Sequence, residues 1–402
     1  MVNREKLLDI LYKVMIGGSY ASLLMRNMDI DARDAGKASE IVYGTLRNMT
    51  LLEAQWRPFV KNVKPRTSLL LDMTAYQLFF MDDVEDYAVV NETVKLVSKG
   101  ERGFVNAVCR RMQREKLRVP KGDSIADVSV RTSHPEWILR MWEAHYGHER
   151  MLRIAYADQE RPTVYGRINT LKIDKRTLGK DLRYHFIDDI CFTCDMLITH
   201  TEQFARGEVL VQDYSSQQVA KLLEAKKGMR VLDVCAAPGT KSQQIAMGML
   251  NEGELVCCDL YEKRLGLVEQ LMEKTGVSIC RTVAVDGTKK GSFEKESFDR
   301  ILIDAPCSGL GDLRHKPEIR WRLKPQDIDG LVDVQQRLLE ANCEYLKVGG
   351  VLVYSTCTIN RKENEACVRK FLDGHPSFML DKELNILPGK GDGFYAARLK
   401  KT

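Results

Sequence analysis

From about residue 208 onward the chain alternates short apolar runs with helical patterns. The runs are Arg230 to Val234, Leu255 to Asp259, Thr282 to Val285, Arg300 to Asp304 and Gly350 to Tyr354. Ser242 to Met249, Glu262 to Lys274 and Gln326 to Lys347 read as helices between them. This texture predicts an α/β domain whose sheet is largely parallel. Ligands of such sheets bind beyond the carboxyl ends of the strands, so function is expected in the residues just after each run. Residues 1 to about 125 have a different period. Leu7, Leu8, Leu11 and Val14, then Ala38, Ile41, Val42 and Leu46, recur at three- and four-residue spacing, which predicts helices. Pro120, Lys121 and Gly122 place a linker near 120 to 130, and a second helical pair carries Trp137, Trp142 and Tyr146. The stretch from Val164 to about Thr201 shows no clear period. The expected division is therefore 1–125 helical, 126–207 linker and small insert, and 208–402 α/β.

The chain has 402 residues, 44% hydrophobic and 29% charged, with 28 Gly and 11 Pro, a globular rather than a disordered or collagenous balance. No charge-free stretch reaches the roughly 18 residues of a membrane helix. Arg4, Glu5, Lys6 and Asp9 interrupt the N-terminus too early for a signal peptide. A soluble, cytoplasmic protein is expected. Eleven cysteines are an odd count spread thinly, which fits a reducing compartment where each thiol is packed or reactive. The net charge is only +5, but Lys99, Arg102, Arg110, Arg111, Arg114, Lys116, Arg118 and Lys121 stand against Glu101 and Glu115 alone. That local excess suits a phosphate backbone, although a solvated helix face reads the same way.

The first run ends in Asp233-Val234-Cys235-Ala236-Ala237-Pro238-Gly239-Thr240-Lys241, a loop of small residues feeding a helix, where backbone N–H groups can face a ligand. The second run ends in Asp259, where a carboxylate can accept from both hydroxyls of a ribose. The glycine pattern of dinucleotide and triphosphate loops is absent. Asp286 and Asp304 end two further runs, and this many carboxylates repel a phosphate but suit a cationic ligand. S-adenosyl-L-methionine, with a sulfonium and an ammonium, fits.

Two cysteines follow strand ends: Cys307 in Asp304-Ala305-Pro306-Cys307-Ser308-Gly309 and Cys357 in Ser355-Thr356-Cys357-Thr358. Both are expected to face the ligand crevice. Most free cysteines are small packed hydrophobes, so position singles these two out. Cys191 and Cys194 would suit half a zinc site, but the adjacent Cys257 and Cys258 point to opposite strand faces, and no metal is expected. Paired thiols beside a methyl donor suit methylation of C5 in a pyrimidine. That carbon becomes nucleophilic only after a thiolate adds at C6. Asp304 could bond the N3 edge of the ring.

The segments Val231 to Lys241, Ile303 to Gly311 and Tyr354 to Thr358 resemble the signature motifs of the Sun/Fmu family of bacterial RNA cytosine-C5 methyltransferases. Ala38 to Arg47 is similar to the NusB-like RNA-binding domain that the RsmB-like branch carries at its N-terminus. The resemblance implies an all-α NusB-like domain followed by a Rossmann-like, S-adenosylmethionine-dependent methyltransferase domain. It also implies that Cys357 adds to C6, that Cys307 assists release, and that Cys235, Ala236, Ala237, Pro238, Gly239, Thr240, Lys241, Asp259, Asp286 and Asp304 contact the cofactor. The family usually has a second glycine where this chain has Thr240. Ser133 to Trp137 and Arg167 to Lys172 resemble its RNA-binding insert, and Asp392 to Tyr395 its closing strand. Phosphate contacts are expected from Lys99 to Lys121, from Arg161, Arg167 and Lys172, and from Arg314, His315, Lys316, Arg320, Arg322 and Lys324, with Trp321 as a stacking platform. The implied substrate is a single-stranded or extruded cytosine of 16S small-subunit ribosomal RNA, with no membrane partner and a monomeric enzyme. A transfer RNA methyltransferase, or a NusB-like RNA-binding regulator without catalysis, are the alternatives.

Overall fold

A computed structural model describes residues 3–82 and 84–402, apart from the side chain of Ala32. The chain forms two compact units, one running to Arg161 and including Leu313–Leu323, the other containing Pro162–Asp312 and Lys324–Thr402. Among the described residues, no helix is long and apolar enough to cross a membrane.

The first unit is helical: α1 (Arg4–Met15), α2 (Ala21–Arg26), α3 (Ala32–Trp56), α4 (Pro65–Phe80), α5 (Asp86–Lys95), α6 (Arg102–Arg114), α7 (Ile125–Thr132), α8 (Glu136–Tyr146) and α9 (His148–Ala157). The periodic positions anticipated above, from Leu7 to Leu46, all sit in one core. Helix α6 adds Val105, Val108, Cys109 and Met112 to that core, which turns Arg102, Arg110, Arg111 and Arg114 outward. All eight basic residues from Lys99 to Lys121 are exposed.

The helical unit extends past the expected boundary at 125, because α7–α9 are compact with the first six helices. At Asn48, α3 leaves helical dihedrals (φ −113°, ψ 16°). Backbone groups around the break are met from elsewhere in the unit: Leu51 N–H donates to Ser133 Oγ (3.1 Å), and Leu46 C=O accepts from Trp321 Nε1 (2.8 Å).

Within Leu313–Leu323, the three arginines correct the expectation that they await phosphate. Arg320 is 1% exposed, and its Nη1 donates to the carbonyls of Thr132 and Ser133, both 3.2 Å away at the C-terminal end of α7. Arg322 donates to the carbonyls of Val14, in the last turn of α1, and of Gly18 and Ser19 just past it. Glu318, fully buried, accepts from Ala21 N–H at the first turn of α2 (3.0 Å). These are cations at helix C-termini and an anion at an N-terminus, the signs that the helix dipole favours. Arg314 is likewise buried, and its carbonyl accepts from Arg47. Trp321 is half-buried, with its Nε1 donating to a carbonyl of α3.

Arg320→Ala is expected to lower the stability of the helical unit by about 2–3 kcal/mol, since two carbonyls lose a charged donor in a buried site. Denaturant unfolding followed by tryptophan fluorescence reads this unit alone, because Trp56, Trp137, Trp142 and Trp321 all lie in it.

The second unit holds two sheets. The smaller is antiparallel, β1 (Gly166–Ile168), β2 (Tyr184–Phe186), β3 (Cys191–Cys194) and β4 (Val209–Val211) in the order β2-β3-β1-β4. The larger has seven strands: β5 (Arg230–Asp233), β6 (Glu254–Asp259), β7 (Cys280–Ala284), β8 (Phe298–Asp304), β9 (Leu346–Thr356), β10 (Phe378–Ile386) and β11 (Phe394–Lys401). Their order is β10-β11-β9-β8-β5-β6-β7. Strands β5 to β9 are mutually parallel, while β11 runs antiparallel to β9 and to β10.

Alternate residues of the central strands feed two cores. Leu232, Val256, Ile301, Ile303, Leu352 and Tyr354 face one, whereas Val231, Leu255, Leu302, Val351 and Val353 face the other. Burial on both faces is why these strands read as continuous apolar runs. Helices α10 (Tyr214–Leu223), α11 (Thr240–Gly248), α12 (Glu262–Thr275), α13 (Pro325–Asn342) and α14 (Glu365–Gly374) cover the sheet. The helix anticipated over Gln326 to Lys347 ends at Asn342, because Leu346 already begins the long strand β9.

Candidate active site

Strand β5 ends in Asp233, and the loop from Cys235 to Gly239 turns the chain into α11. Gly239 caps that helix at φ +104°, a conformation that L side chains rarely adopt. A Cβ built there meets the backbone of Val268 in α12 at 3.3 Å, so the loop needs glycine for space as well as for dihedral. Thr240, where a second glycine was expected, is the first residue of α11 and lies outside the positive-φ residues. Its Cβ therefore imposes no backbone strain.

Arg167 holds this helix start. It is fully buried, with Nη2 donating to Thr240 C=O (3.2 Å) and to Gln243 Oε1 (2.6 Å), and Nε donating to Gln212 Oε1 (2.5 Å). Burial lowers its pKa to about 9. The expectation that Arg167 contacts phosphate is corrected: no part of it reaches solvent. Lys172 is exposed but donates to the carbonyls of Arg206 and Lys274. Ser133 and His134, expected in an RNA-binding insert, are fully buried in the helical unit.

Asp233, Cys235, Ala236, Ala237, Pro238, Thr240, Lys241 and Asp304 line one cleft. Asp233 is 1% exposed; Ser242 Oγ donates to its Oδ2 (2.7 Å), and Oδ1 has no hydrogen-bond partner. Burial first, then the nearby Asp304 charge, pushes its carboxyl up to about 7 against the Ser242 bond. The folded protein thus keeps this proton to higher pH than the unfolded chain. The stability it contributes is complete below about pH 4 and is lost as pH rises through about 7. Between pH 5 and pH 8, Asp233→Asn should gain about 2–3 kcal/mol relative to wild type, read as the difference between their unfolding free energies at the two pH values.

Asp259 is nearly buried, accepting from Tyr261 N–H (3.1 Å) and paired with Arg264 (3.1 Å), whose Nη2 also reaches Ala237 C=O. This ties the end of β6 to the small-residue loop. Asp286 is bonded in its own turn, accepting from Thr288 N–H and Oγ, and these bonds hold its carboxyl below the usual range.

Cys307 and Cys357 follow the parallel neighbours β8 and β9, paired at Asp304 and Ser355. Their Sγ atoms are 3.4 Å apart. Lys241 Nζ bonds Asp304 Oδ2 (2.7 Å), and Ser355 Oγ donates to Oδ1 (2.7 Å). Burial pulls the Lys241 pKa down, but the charges of Asp304 and Cys357 outweigh it and the net shift is upward. The Cys307 thiol is pushed well up, by its bond to Cys357 and by burial. Gly311 and Gly393 close the region: Gly311 N–H donates to Cys357 C=O (3.0 Å), Gly393 N–H to Gly311 C=O (2.8 Å), and a Cβ on Gly311 would fall 2.0 Å from Gly393 O.

One participant had no signal in the sequence. Glu363 is fully buried and accepts from Ser308 N–H (2.8 Å), Ser308 Oγ (2.5 Å), Gln335 Nε2 (3.1 Å) and Asn360 Nδ2 (3.1 Å). It lies in Asn360-Arg-Lys-Glu-Asn-Glu, which reads as a solvated polar stretch.

Comparison with known proteins agrees with this geometry. Residues 220–400 match the family described as 16S rRNA methyltransferase RsmB/F, residues 1–114 the NusB family, and residues 134–188 the ferredoxin-like domain of RsmF/B-like methyltransferases. The "Probable ribosomal RNA small subunit methyltransferase B" of Bacillus subtilis is 35% identical over 441 residues, covering 99% of this chain and 98% of the relative. In fold, the crystal structure of PH0851 covers 100% of this chain and 99% of its own at TM-score 0.83 and 21% identity. That of NSun6 from Pyrococcus horikoshii with SFG covers 66% and 98% at TM-score 0.60 and 20% identity. Fold and site together define a methyltransferase-type α/β domain carried with a NusB-type helical domain. The chain belongs to the RsmB/F family of 16S ribosomal RNA methyltransferases.

Proposed function

We propose that this chain methylates C5 of a cytosine in 16S ribosomal RNA, with S-adenosylmethionine as donor and a transient covalent bond between Cys357 and C6 of the base. The observation that carries the reading is the 3.4 Å pairing of Cys307 and Cys357 at adjacent strand ends, next to the Lys241–Asp304 ion pair.

The cleft fits the donor on two counts. The unpartnered, buried Oδ1 of Asp233 suits a cationic group, and the loop lining the cleft offers only the small side chains of Cys235, Ala236, Ala237 and Pro238, which leaves room beside its backbone. Asp259 and Asp286, at the ends of β6 and β7, suit the ribose side. Bound S-adenosylmethionine supplies an electrophilic methyl and leaves as S-adenosylhomocysteine.

The protein's own residues carry the other steps. The sulfur of Cys357 is the nucleophile. That sulfur adds to C6, and the C5=C6 electron pair becomes available at C5, which takes the methyl. A base takes up the C5 proton, and the electron pair of the C5–H bond restores the double bond and expels the Cys357 sulfur. Cys307 keeps its proton beside the departing sulfur and is placed to deliver it. Asp304, held by Lys241 and Ser355, aligns the ring edge. A cytosine in a duplex hides its C6 face, so the target is single-stranded or extruded. The outward basic face of α6 is the expected phosphate contact, and the enzyme is expected to act in the cytoplasm as a monomer.

The test is methyl transfer from tritiated S-adenosylmethionine to 16S ribosomal RNA and to transfer RNA, followed by nucleoside analysis. Label in 5-methylcytidine from the ribosomal RNA is expected. Label confined to transfer RNA, or in another nucleoside, would remove the proposed reaction.

A further inference from the structure

Cys307 and Cys357 stand on separate loops, and nothing covalent keeps their sulfurs in register. The residue after each is Ser308 and Thr358, whose hydroxyls are 2.8 Å apart. Ser308 bonds one anion directly, and Thr358 reaches it through Ser308 and Asn360. Glu363 Oε1 accepts from Ser308 Oγ and Asn360 Nδ2; Oε2 accepts from Ser308 N–H and Gln335 Nε2. Asn360 N–H returns to Thr358 Oγ1 (3.2 Å), and Gln335 Nε2 also donates to Pro306 C=O (2.9 Å), so the carboxylate is braced from the residues flanking both cysteines. Its own backbone carbonyl accepts from Tyr354 OH (2.7 Å) in β9.

An ionised carboxylate buried without a cationic partner costs several kcal/mol unless donors surround it. Here four donors do. A hydrophobic residue would fill the same space without that requirement, so burial alone does not explain the charge.

We infer that Glu363 is a positioning residue for the thiol pair: its carboxylate clamps the turn after Cys307 to the turn after Cys357 and thereby fixes the distance across which the two sulfurs act in sequence. The inference rests on the two-thiol reading given above. It predicts more than loss of packing, because a clamp sets sulfur-to-sulfur proximity, which can be measured apart from catalysis.

The variant is Glu363→Gln in the full chain. The amide keeps the shape but places N–H groups against one of two donor pairs, which must then separate. Two readouts are taken together. The first is the rate at which diamide, a thiol oxidant that is itself reduced to the hydrazine, joins Cys307 to Cys357, followed by mass spectrometry of the linked peptides. The second is single-turnover methyl transfer to RNA. In Glu363→Gln, linking is expected to slow at least tenfold, and the single-turnover rate at saturating RNA to fall 10- to 100-fold, with the half-saturating RNA concentration within threefold of wild type.

Linking and transfer both within threefold of wild type would overturn the inference. So would a change in only one of them, since the clamp predicts both. If wild type itself fails to methylate RNA, the reading of function falls, while the linking rate still decides whether Glu363 holds the thiols together. Should Glu363→Gln fail to fold, Asn360→Ala and Gln335→Leu, each removing one donor, carry the test with expected three- to tenfold effects on both readouts; no effect in either overturns the clamp.

Discussion

Cys357→Ala is expected to reduce methyl transfer to RNA by roughly 10³-fold or more at saturating RNA and donor. The magnitude follows from the chemistry. Cytosine C5 is too weak a nucleophile to displace a methyl from a sulfonium, and only sulfur addition at C6 makes it one. The substitution removes one sulfur from a half-buried position and leaves the Lys241–Asp304 pair and the Glu363 network intact. Folding should therefore change by no more than about 1 kcal/mol. Single-turnover transfer of a tritiated methyl measures the effect, and a rate within tenfold of wild type would remove the nucleophile assignment.

Cys307→Ala should have a different phenotype. The methyl still transfers, within about tenfold of the wild-type single-turnover rate, but the product is not released efficiently. Multiple turnover is expected to fall about 10²-fold, the usual scale for losing one proton-transfer group. A covalent protein–RNA complex that survives denaturing electrophoresis should build up on unmodified RNA. The contrast depends on geometry: Cys307 is 3.4 Å from the Cys357 sulfur and carries a thiol that resists ionisation. If Cys307→Ala instead shows neither transfer nor adduct, the two roles are exchanged.

The parallel strands were legible because they are buried on both faces. Val231 and Leu232, or Leu302 and Ile303, enter opposite cores, so each strand reads as an unbroken apolar run. The positions of Asp233, Asp259 and Asp304 at strand ends were legible for the same reason, since a strand end fixes where the next side chain sits. The small sheet β1–β4 was not, because three- and four-residue strands are too short for a period to emerge. Nor was β10, an edge strand with an exposed middle.

Charge misled most. Arg167, Arg320 and Arg322 read as phosphate contacts, yet they donate to carbonyl and amide oxygens within the fold, and Arg314 is buried; a sequence does not reveal whether an arginine faces a helix end or water. Glu363 failed to stand out for the converse reason. Its donors come from residues 308, 335 and 360, and only the fold brings them together.

The most direct measurement uses RNA in which the target cytosine carries fluorine at C5, so that the final removal of a proton cannot occur. With donor present, wild type should form a stable complex, and after protease and nuclease digestion the modified nucleoside should be found on the peptide containing Cys357. A complex mapped to Cys307, or no complex from an enzyme that methylates unmodified RNA, would contradict this mechanism.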